Sequence, residues 1–521
     1  MDTLSVKSMN HESRVRKSLL NARVNLVFYF IFVILSFFSR KTFLECLGAE
    51  FMGLSGTLIN ILGFLSLAEM GVGTAVAYNL YKPLQQGNKE RIEELVSVFG
   101  YLYNRIGLFI LLGAGIVSCF IPLIFKHTEF SFGLIYFAFF SILIAQLFSY
   151  FINYRQIILT ADQKGYLVTG YLQGAQFCKI VLQMAIAYYW GNYYAWIALE
   201  VVFGFVGCIV LNRKIDQVYP WLKASVKKGK KFFPQNKQII TYTKQVFVHK
   251  IKDFLLSQSD QILVFAFVSL KMVAYYGNYT LVVSRLAAAF DSALNSFSAG
   301  VGNLVAEGNK EKSMSVFWEI VAVRFLVGGF VVFSVFNLIE PFISLWLGSK
   351  YILDREILIL LMITIFITQT RGAVDMFNGA HGLYSDTWAA WAEAILFLAV
   401  TLALAPKYGI VGILAGKIVS QLLIIVIWKP IFLFRKGFKE PISKYWKRIS
   451  IYYLLAIVGI VGATILCRPI VNSAFGGIVN WCVSALEITL PFAVFYIAVL
   501  YFFAPGAKPL FVRLYKIVRK Q

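Results

Sequence analysis

The chain has 521 residues, of which 59% are hydrophobic and 17% aromatic, while only 14% carry a charged side chain. Soluble domains are about 25% charged, so this composition excludes an ordinary soluble domain and indicates a polytopic membrane protein. The formal net charge of +23 is typical of lysine and arginine that collect on the cytoplasmic side, close to anionic lipid. We therefore expect anionic membrane lipids as partners, and not nucleic acid.

The N-terminal segment is basic and leads directly into a full-length apolar span, without the small-residue cleavage site of a secretory signal peptide. We expect no cleaved signal here. The cysteines are scattered, mostly within apolar spans, and their spacing predicts neither a metal site nor a disulfide framework. We accordingly expect no metal and no cofactor. The six cysteines are Cys46, Cys119, Cys178, Cys208, Cys467 and Cys482.

Hydropathy along the chain predicts fourteen membrane spans and hence an all-α integral membrane protein. With the N-terminus inside, most of the connecting lysines and arginines fall on the cytoplasmic side, and both termini are predicted to be cytoplasmic. The predicted spans are centred near residues 31, 67, 109, 144, 177, 201, 257, 288, 331, 367, 395, 420, 460 and 490.

The second span, Leu54 to Leu80, combines polar residues and glycines within a length that can cross a bilayer. Glu69 lies about halfway along it, where a carboxylate that faces lipid is costly. We therefore expect Glu69 to face protein or a water-filled cavity, while the glycines allow close packing. This pattern indicates a transport path. It leaves open whether Glu69 binds a coupling ion or only pairs within the protein.

A basic connection from Arg213 to Lys244 follows the sixth span. We interpret it as a linker or amphipathic segment on the anionic cytoplasmic leaflet, with substrate binding as the alternative. The predicted domains are an N-terminal six-helix lobe at 1–213, the linker at 214–243, a C-terminal six-helix lobe at 244–437, and two further helices with a basic tail at 438–521.

A short repeat supports the two-lobe division. The loop after the second span reads GNKER (Gly87 to Arg91), and the loop after the eighth reads GNKEK (Gly308 to Lys312). The copies lie 221 residues apart at the same topological point. Because six spans is an even number, the lobes are predicted to share one orientation and to be related by an axis along the membrane normal.

The seventh span begins with a polar face. Lys250, Asp253, Ser257 and Asp260 follow a spacing that places them on one side of a helix. Lys250 and Asp253 can satisfy each other in an internal salt bridge, which is the structural alternative. We expect Asp260 near mid-membrane, with no basic residue close to it in the sequence, so it is a candidate cation or proton site.

The eighth span carries Arg285 and Asp291 near its centre. They are six residues apart, so they face different directions and are expected to have different partners. The planar guanidinium of Arg285 suits bidentate binding of a diphosphate. The alternative is an ion pair between Arg285 and either Glu69 or Asp260.

Cations outnumber anions among the remaining charges in the spans, which indicates a lumen that admits an anionic head group. Arg371 and Asp375 are four residues apart and can pair with each other. Arg324 and Lys417 can snorkel or support packing. The remaining intramembrane charges are Arg105, Lys179, Arg324, Arg371, Asp375, Glu393 and Lys417.

The sequence has no Walker A motif, no zinc-ligand spacing and no supported nucleophile elbow. We therefore predict a transporter and not an enzyme. A membrane glycan polymerase or ligase is the alternative from another class. It predicts a large outside loop with arginines or carboxylates, which the short outside connections of this topology lack.

Several runs resemble bacterial polysaccharide transporters of the Wzx flippase type. The run SRKTFLECLGAEFMGLSGTLINILGFLSLAEMGVGTAVAYNLYKPL is similar to the first two helices of that family, and HKIKDFLLSQSDQILV, YYGNYTLVVS and GNLVAEGNKEK are similar to its helices seven and eight. The matching runs contain Arg40, Glu69, Lys250 and Asp260, whereas Lys252 and Asp253 depart from the more neutral family pattern.

The resemblance implies a MATE-like fold of the multidrug, oligosaccharidyl-lipid and polysaccharide exporter superfamily, with two lobes that rock around a central cavity. It implies that a polyprenyl-diphosphate-linked oligosaccharide (an O-antigen, capsule or exopolysaccharide repeat unit) is moved to the outer leaflet of the bacterial inner membrane. A polysaccharide polymerase and glycosyltransferases are the expected protein partners.

We expect cations to contact the diphosphate or glycan, and carboxylates to bind sodium or protons as coupling ions. A drug or cation antiporter and a lipid II flippase are the alternatives on the same fold. The predicted substrate contacts are Arg40, Arg105, Lys179, Lys250 and Arg285, and the predicted lumen carboxylates are Glu69, Asp260 and Asp291.

Overall fold

The computed structural model describes residues 14–66, 72–126, 128–236, 259–295, 297–383, 386–471 and 477–509, and within these ranges all regular structure is helical. Seven long helices precede the basic linker. They are α1 Arg14–Cys46, α2 Ala49–Leu65, α3 Val72–Gln86, α4 Lys89–Ile124, α5 Phe132–Phe151, α6 Gly165–Trp190 and α7 Tyr193–Val218.

Shorter helical pieces connect or follow these helices. The 3₁₀-helix Asn153–Gln156 and the helix Ile157–Ala161 join α5 to α6, and Val226–Phe232 with Phe233–Asn236 form the described part of the linker. Residues 259–267 are again helical.

Nine longer helices follow in the described part of the chain. They are α8 Leu270–Asn295, α9 Ser298–Ala306, α10 Lys310–Leu347, α11 Arg355–Thr370, α12 Gly372–Ala380, α13 Thr387–Tyr408, α14 Ile410–Gln421, α15 Ile442–Val471 and α16 Ile478–Phe503. After α14 the chain stays helical to Phe438, with wider π-helical turns at Leu422–Trp428 and Leu433–Phe438.

The predicted spans agree with these helices. Twelve of the fourteen predicted centres lie inside a described helix, and the centres near 67 and 257 lie outside the described residues. Among the described residues, ten helical segments are long and apolar enough to cross a membrane, and Ala49–Leu65 is a shorter apolar helix. The prediction of an all-α, multi-pass membrane protein is confirmed.

The chain forms two compact units, Met1–Ala274 and Tyr275–Gln521. Helix α8 begins in the first unit and continues into the second. The predicted division into two lobes, a linker and a C-terminal helix pair stays a prediction.

The repeated tetrapeptide GNKE forms the same turn and the same helix cap in each unit. Gly87 and Gly308 have positive φ angles of 66° and 74°, a conformation that glycine adopts without strain. The following Asn88 and Asn309 are N-caps, and each side chain accepts a hydrogen bond from the backbone N–H three residues later. The caps begin α4 and α10, the longest described helix of each unit.

Two glycines at equivalent positions of α4 and α10 also have similar roles in helix packing. Gly107 and Gly328 each lie nineteen residues after the cap and 221 residues apart. A Cβ atom at Gly107 would lie 2.9 Å from Phe151, at the end of α5, and one at Gly328 would lie 3.3 Å from Thr370, at the end of α11. In both units a glycine therefore lets the capped helix approach the end of the next long helix.

The last two helices belong to the core of the second unit. Helices α15 and α16 pack against each other and against α10. The rings of Phe333 and Phe492 stack with centroids 3.8 Å apart, and the Tyr496 hydroxyl donates to the carbonyl of Phe325. Both helices therefore contribute to the packing of the second unit.

Candidate functional site: polar groups inside the two units

The first unit contains a partly open cavity of about 370 Å³. Its walls come from four helices, with Ile59 on α2, Gln146 on α5, Lys179 on α6 and Phe203 on α7 among the lining residues. Gly204 and Gly207 of α7 also line it. Ligand pockets are about 300–1,000 Å³, so the cavity can hold a small molecule or part of a larger one.

A charged cluster forms the polar end of this cavity. The ammonium of Lys179 donates to Glu200 Oε2 over 2.6 Å, and the Lys179 side chain is only 6% exposed. Gln183 donates to Glu200 Oε1 over 2.9 Å and to the Trp196 carbonyl over 3.0 Å. The two-residue connection of Gly191 and Asn192 between α6 and α7 keeps these helices adjacent and brings the three side chains together.

Lys179, a predicted contact of the diphosphate or glycan, thus already has a carboxylate partner. An anion that reaches its ammonium must compete with Glu200. The predicted role of Lys179 stays a prediction.

Gln146 is the second polar element of the cavity. Its Oε1 atom is buried and accepts no hydrogen bond within the described residues. A buried polar atom without a partner is costly, because it has lost its hydrogen bonds to water. Gln146 can therefore accept a hydrogen bond from a molecule in the cavity.

Two other predicted cations lie elsewhere in the first unit. Arg40 on α1 donates to the backbone carbonyl of Ala274 over 3.1 Å and is half-buried. Arg105 on α4 is exposed, with its guanidinium 5.4 Å from the ring centroid of Tyr101, one helical turn earlier. Neither residue lines the cavity that holds Lys179.

Asp260, which the sequence predicts to be a lumen carboxylate, lies on the helical stretch 259–267. Asp260 is 6% exposed, as expected for an intramembrane carboxylate that avoids lipid. On the same stretch, the Gln261 side chain accepts a hydrogen bond from Asn60 of α2 over 2.8 Å. This bond fastens the stretch to the second helix of the first unit.

Asp291 and Arg324 form an ion pair in the second unit. Arg324 on α10 donates to Asp291 on α8 over 2.6 Å, and Gln369 on α11 donates to the other carboxylate oxygen over 3.4 Å. A Cβ at Gly372 would collide with the Arg324 guanidinium, so this glycine makes room for it. Arg285 lies half-buried on α8, nearly two turns before Asp291.

Some predicted site residues cannot be placed. Glu69, Lys250 and Asp253 lie outside the described residues, so the predicted polar face of the seventh span is described only from Ser259 onward. Within the described ranges, no group of three or more histidine, cysteine, aspartate or glutamate side chains could hold a metal ion.

Sequence reasoning missed three polar residues that the structure makes prominent. Glu200 is an isolated carboxylate in the sixth span, and that isolation was a readable signal. Gln146 is uncharged, so hydropathy gave no reason to select it. Asp386 is 5% exposed and accepts from Lys429 over 2.8 Å at the start of α13. The distant partners of these residues could not be read from the sequence.

Comparison with solved structures identifies the fold. No protein-family model matches the sequence, and no curated protein sequence matches it significantly. A solved structure of the lipid II flippase MurJ in an inward closed conformation matches with a TM-score of 0.63 and 14% identity, covering 93% of this chain and 99% of that one.

An inward-facing multidrug resistance MATE family transporter of the MOP superfamily matches with a TM-score of 0.55 and 15% identity, covering 80% of this chain and 99% of that one. At these identities the likeness shows the fold. The MATE-like fold that the sequence predicts is confirmed.

Proposed function

We propose that this protein is a flippase that moves a polyprenyl-diphosphate-linked oligosaccharide from the inner to the outer leaflet of the bacterial inner membrane by alternating access. The observation that carries the proposal is the extent of the structural likeness. The flippase covers 93% of this chain and the drug transporter 80%.

Such a protein must move the hydrophilic glycan across the membrane without exposing it to the hydrocarbon core. Sugar hydroxyls that lose their hydrogen bonds to water in an apolar medium are very costly. Two rocking lobes offer the glycan a polar path, while the polyprenyl tail remains in lipid. A buried polar group such as Gln146 can supply a hydrogen-bonding partner to the glycan.

Arg105 is the predicted substrate cation that the described structure leaves most accessible. Helix α4 has 36 residues and a length of about 54 Å at 1.5 Å per residue, whereas the hydrocarbon core is about 30 Å thick. Part of α4 therefore extends beyond the core. An exposed guanidinium within the span avoids lipid tails and faces water or phosphate. We assign to Arg105 a contact with the diphosphate.

The other roles belong to the same proposal. Arg40, Lys179, Lys250 and Arg285 contact the diphosphate or glycan. Glu69, Asp260 and Asp291 are the carboxylates through which sodium ions or protons drive the cycle. The substrate reaches the flippase from glycosyltransferases and leaves toward a polysaccharide polymerase.

The basic linker supplies the proposed contact with anionic lipid. Gly229 of the helix Val226–Phe232 is buried against the backbone of Ser97 on α4, which docks this helix firmly. The exposed side chains of Lys227, Lys230 and Lys231 project from it. Each lysine near an anionic leaflet contributes about 1 kcal/mol. With both termini cytoplasmic, these lysines lie at the inner leaflet.

A leaflet-accessibility assay tests the proposal. The purified chain is reconstituted into vesicles with a fluorescent polyprenyl-diphosphate oligosaccharide, and a membrane-impermeant glycosidase reports which leaflet holds the glycan. We expect protein-dependent exposure of the inner-leaflet pool, and a slower rate for Arg105→Ala. Deletion of the gene in cells should cause the lipid-linked glycan to accumulate on the cytoplasmic side.

The same preparation distinguishes the alternatives. A drug or cation antiporter would exchange fluorescent cationic drugs for protons or sodium and leave the glycan in place. A lipid II flippase would move lipid II in preference to other lipid-linked glycans. Either outcome would replace the proposed substrate while retaining the fold.

A further inference from the structure

The cavity of the first unit has a polar end that is charged yet electrically balanced. Lys179 and Glu200 contribute opposite charges 2.6 Å apart, and Gln183 holds the second carboxylate oxygen. A cation that binds the Glu200 carboxylate must compete with the Lys179 ammonium, and an anion that binds the ammonium must compete with Glu200. The neutralised pair therefore favours neither kind of ion.

The remaining walls combine apolar surface with hydrogen-bonding groups. Ile59 and Phe203 present apolar surface, while Gln176 also lines the cavity and carries an amide. Gln146 adds the buried oxygen that accepts no hydrogen bond within the described residues. A suitable ligand is neutral, donates a hydrogen bond to Gln146, and has an apolar face as well as a polar edge.

We propose that this cavity binds one neutral sugar unit of the translocated glycan, with a hydroxyl or amide N–H of the sugar donating to Gln146 Oε1. This assignment rests on the proposed flippase function and names a glycan subsite within it. A sugar ring carries hydroxyls along its edge and C–H groups on its faces, so Glu200 and Gln146 bind the edge while Phe203 contacts a face. A polyprenyl tail would fill the apolar part and leave Gln146 unsatisfied.

The Gln146→Leu variant separates binding from stability. Leucine has a similar volume and removes a buried acceptor that has no partner within the described residues, so replacement of such a group by an apolar one is neutral or stabilising. We expect an unchanged or higher melting temperature. Glycan flipping should fall by about three- to tenfold, which corresponds to one hydrogen bond.

The chain contains a matched control. Gln156, in the short helices that join α5 to α6, also has a buried Oε1 atom that accepts no hydrogen bond within the described residues, and it does not line the cavity. Gln156→Leu should leave flipping unchanged. Flipping by Gln146→Leu at the wild-type rate or faster would overturn the sugar site and favour a lipid tail in the cavity.

Soluble probes test the ligand class directly. Maltose and N,N′-diacetylchitobiose, both neutral, should raise the melting temperature of the wild-type chain in detergent more than that of Gln146→Leu. Equal protection of the two chains, no protection of either, or stronger protection by glucose 6-phosphate would contradict the proposal. If these neutral sugars protect the wild-type chain but no lipid-linked glycan is flipped, the sugar site stands and the proposed function fails.

Discussion

Arg324 on α10 donates to Asp291 on α8 across 2.6 Å, and the arginine side chain is only 3% exposed while the aspartate is 38% exposed. The pair joins two helices within the second unit. It gives Asp291, a predicted coupling carboxylate, a structural partner that does not depend on any transported ion.

Replacement of Asp291 by alanine should destabilise the protein, because the buried guanidinium loses its carboxylate. Removal of one partner of a fully buried pair costs about 3–5 kcal/mol, and we expect about 1–3 kcal/mol because Asp291 is partly exposed. Chemical denaturation in detergent measures this loss. Asp375→Ala, which removes the half-exposed partner of Arg371, is the control and should cost at most about 1 kcal/mol. Equal losses for the two variants would contradict this explanation.

Variants of the Lys179–Glu200 pair can distinguish a role of the pair in stability from a role in transport. Lys179→Met should cost about 1–3 kcal/mol, since Glu200 then keeps only Gln183 as a partner in the part of the chain that the structure describes. The double variant Lys179→Met/Glu200→Met should recover most of this stability, because apolar residues often replace a buried ion pair without loss. If the pair only supports the fold, flipping recovers too. If it contacts substrate, flipping stays low while stability returns.

Gly412 on α14 should tolerate no side chain. A Cβ there would lie 2.6 Å from the backbone carbon of Leu404 on α13, and a backbone cannot move aside as a flexible side chain can. Gly412→Ala should therefore destabilise the protein by about 1–3 kcal/mol through overpacking, despite the helix propensity of alanine. Gly462→Ala on α15, where a Cβ would meet no atom within 4 Å, is the matched control. A melting temperature of Gly412→Ala at or above that of the control would refute the close helix contact.

A pH dependence should arise from Glu440, between α14 and α15. Lys310 and Lys444 donate to its carboxylate over 2.6 and 2.7 Å, and they lower the pKa of Glu440 from 4.5 to about 2. Because the folded pKa lies below the unfolded one, this stabilisation is complete above about pH 4.5 and is lost as the pH falls toward 2. The wild-type chain should melt above Glu440→Gln at neutral pH, with a difference that shrinks on acidification. Glu307→Gln, at an exposed pair with Lys312, is the control. A difference that grows as the pH falls would reverse the sign of this linkage.

The sequence predicted local and periodic features well. Hydropathy located the spans, and the repeated Gly-Asn-Lys-Glu run predicted equivalent loops because a turn and a cap depend on adjacent residues. Arg371 and Asp375 form the expected pair, with 3.2 Å between nitrogen and oxygen, because residues four apart share a helix face.

Contacts between helices could not be read in the same way. Arg324 was interpreted as a snorkelling or packing residue. The whole residue is only 2% exposed, however, and it pairs with a carboxylate 33 residues earlier. No sequence spacing encodes such a contact, because it depends on how separate helices pack. The cavity has the same origin, since its walls come from α2, α5, α6 and α7.

Because Asn88 and Asn309 are equivalent caps, residues at the same distance from them can be compared between the two units. Fifteen residues after each cap stands Tyr103 in the first half and Arg324 in the second, both buried. The matching turns, caps and glycines give α4 and α10 the same start and the same point of close approach, while the buried side chains at equivalent places differ. The two units therefore share local backbone geometry and differ in their buried polar chemistry.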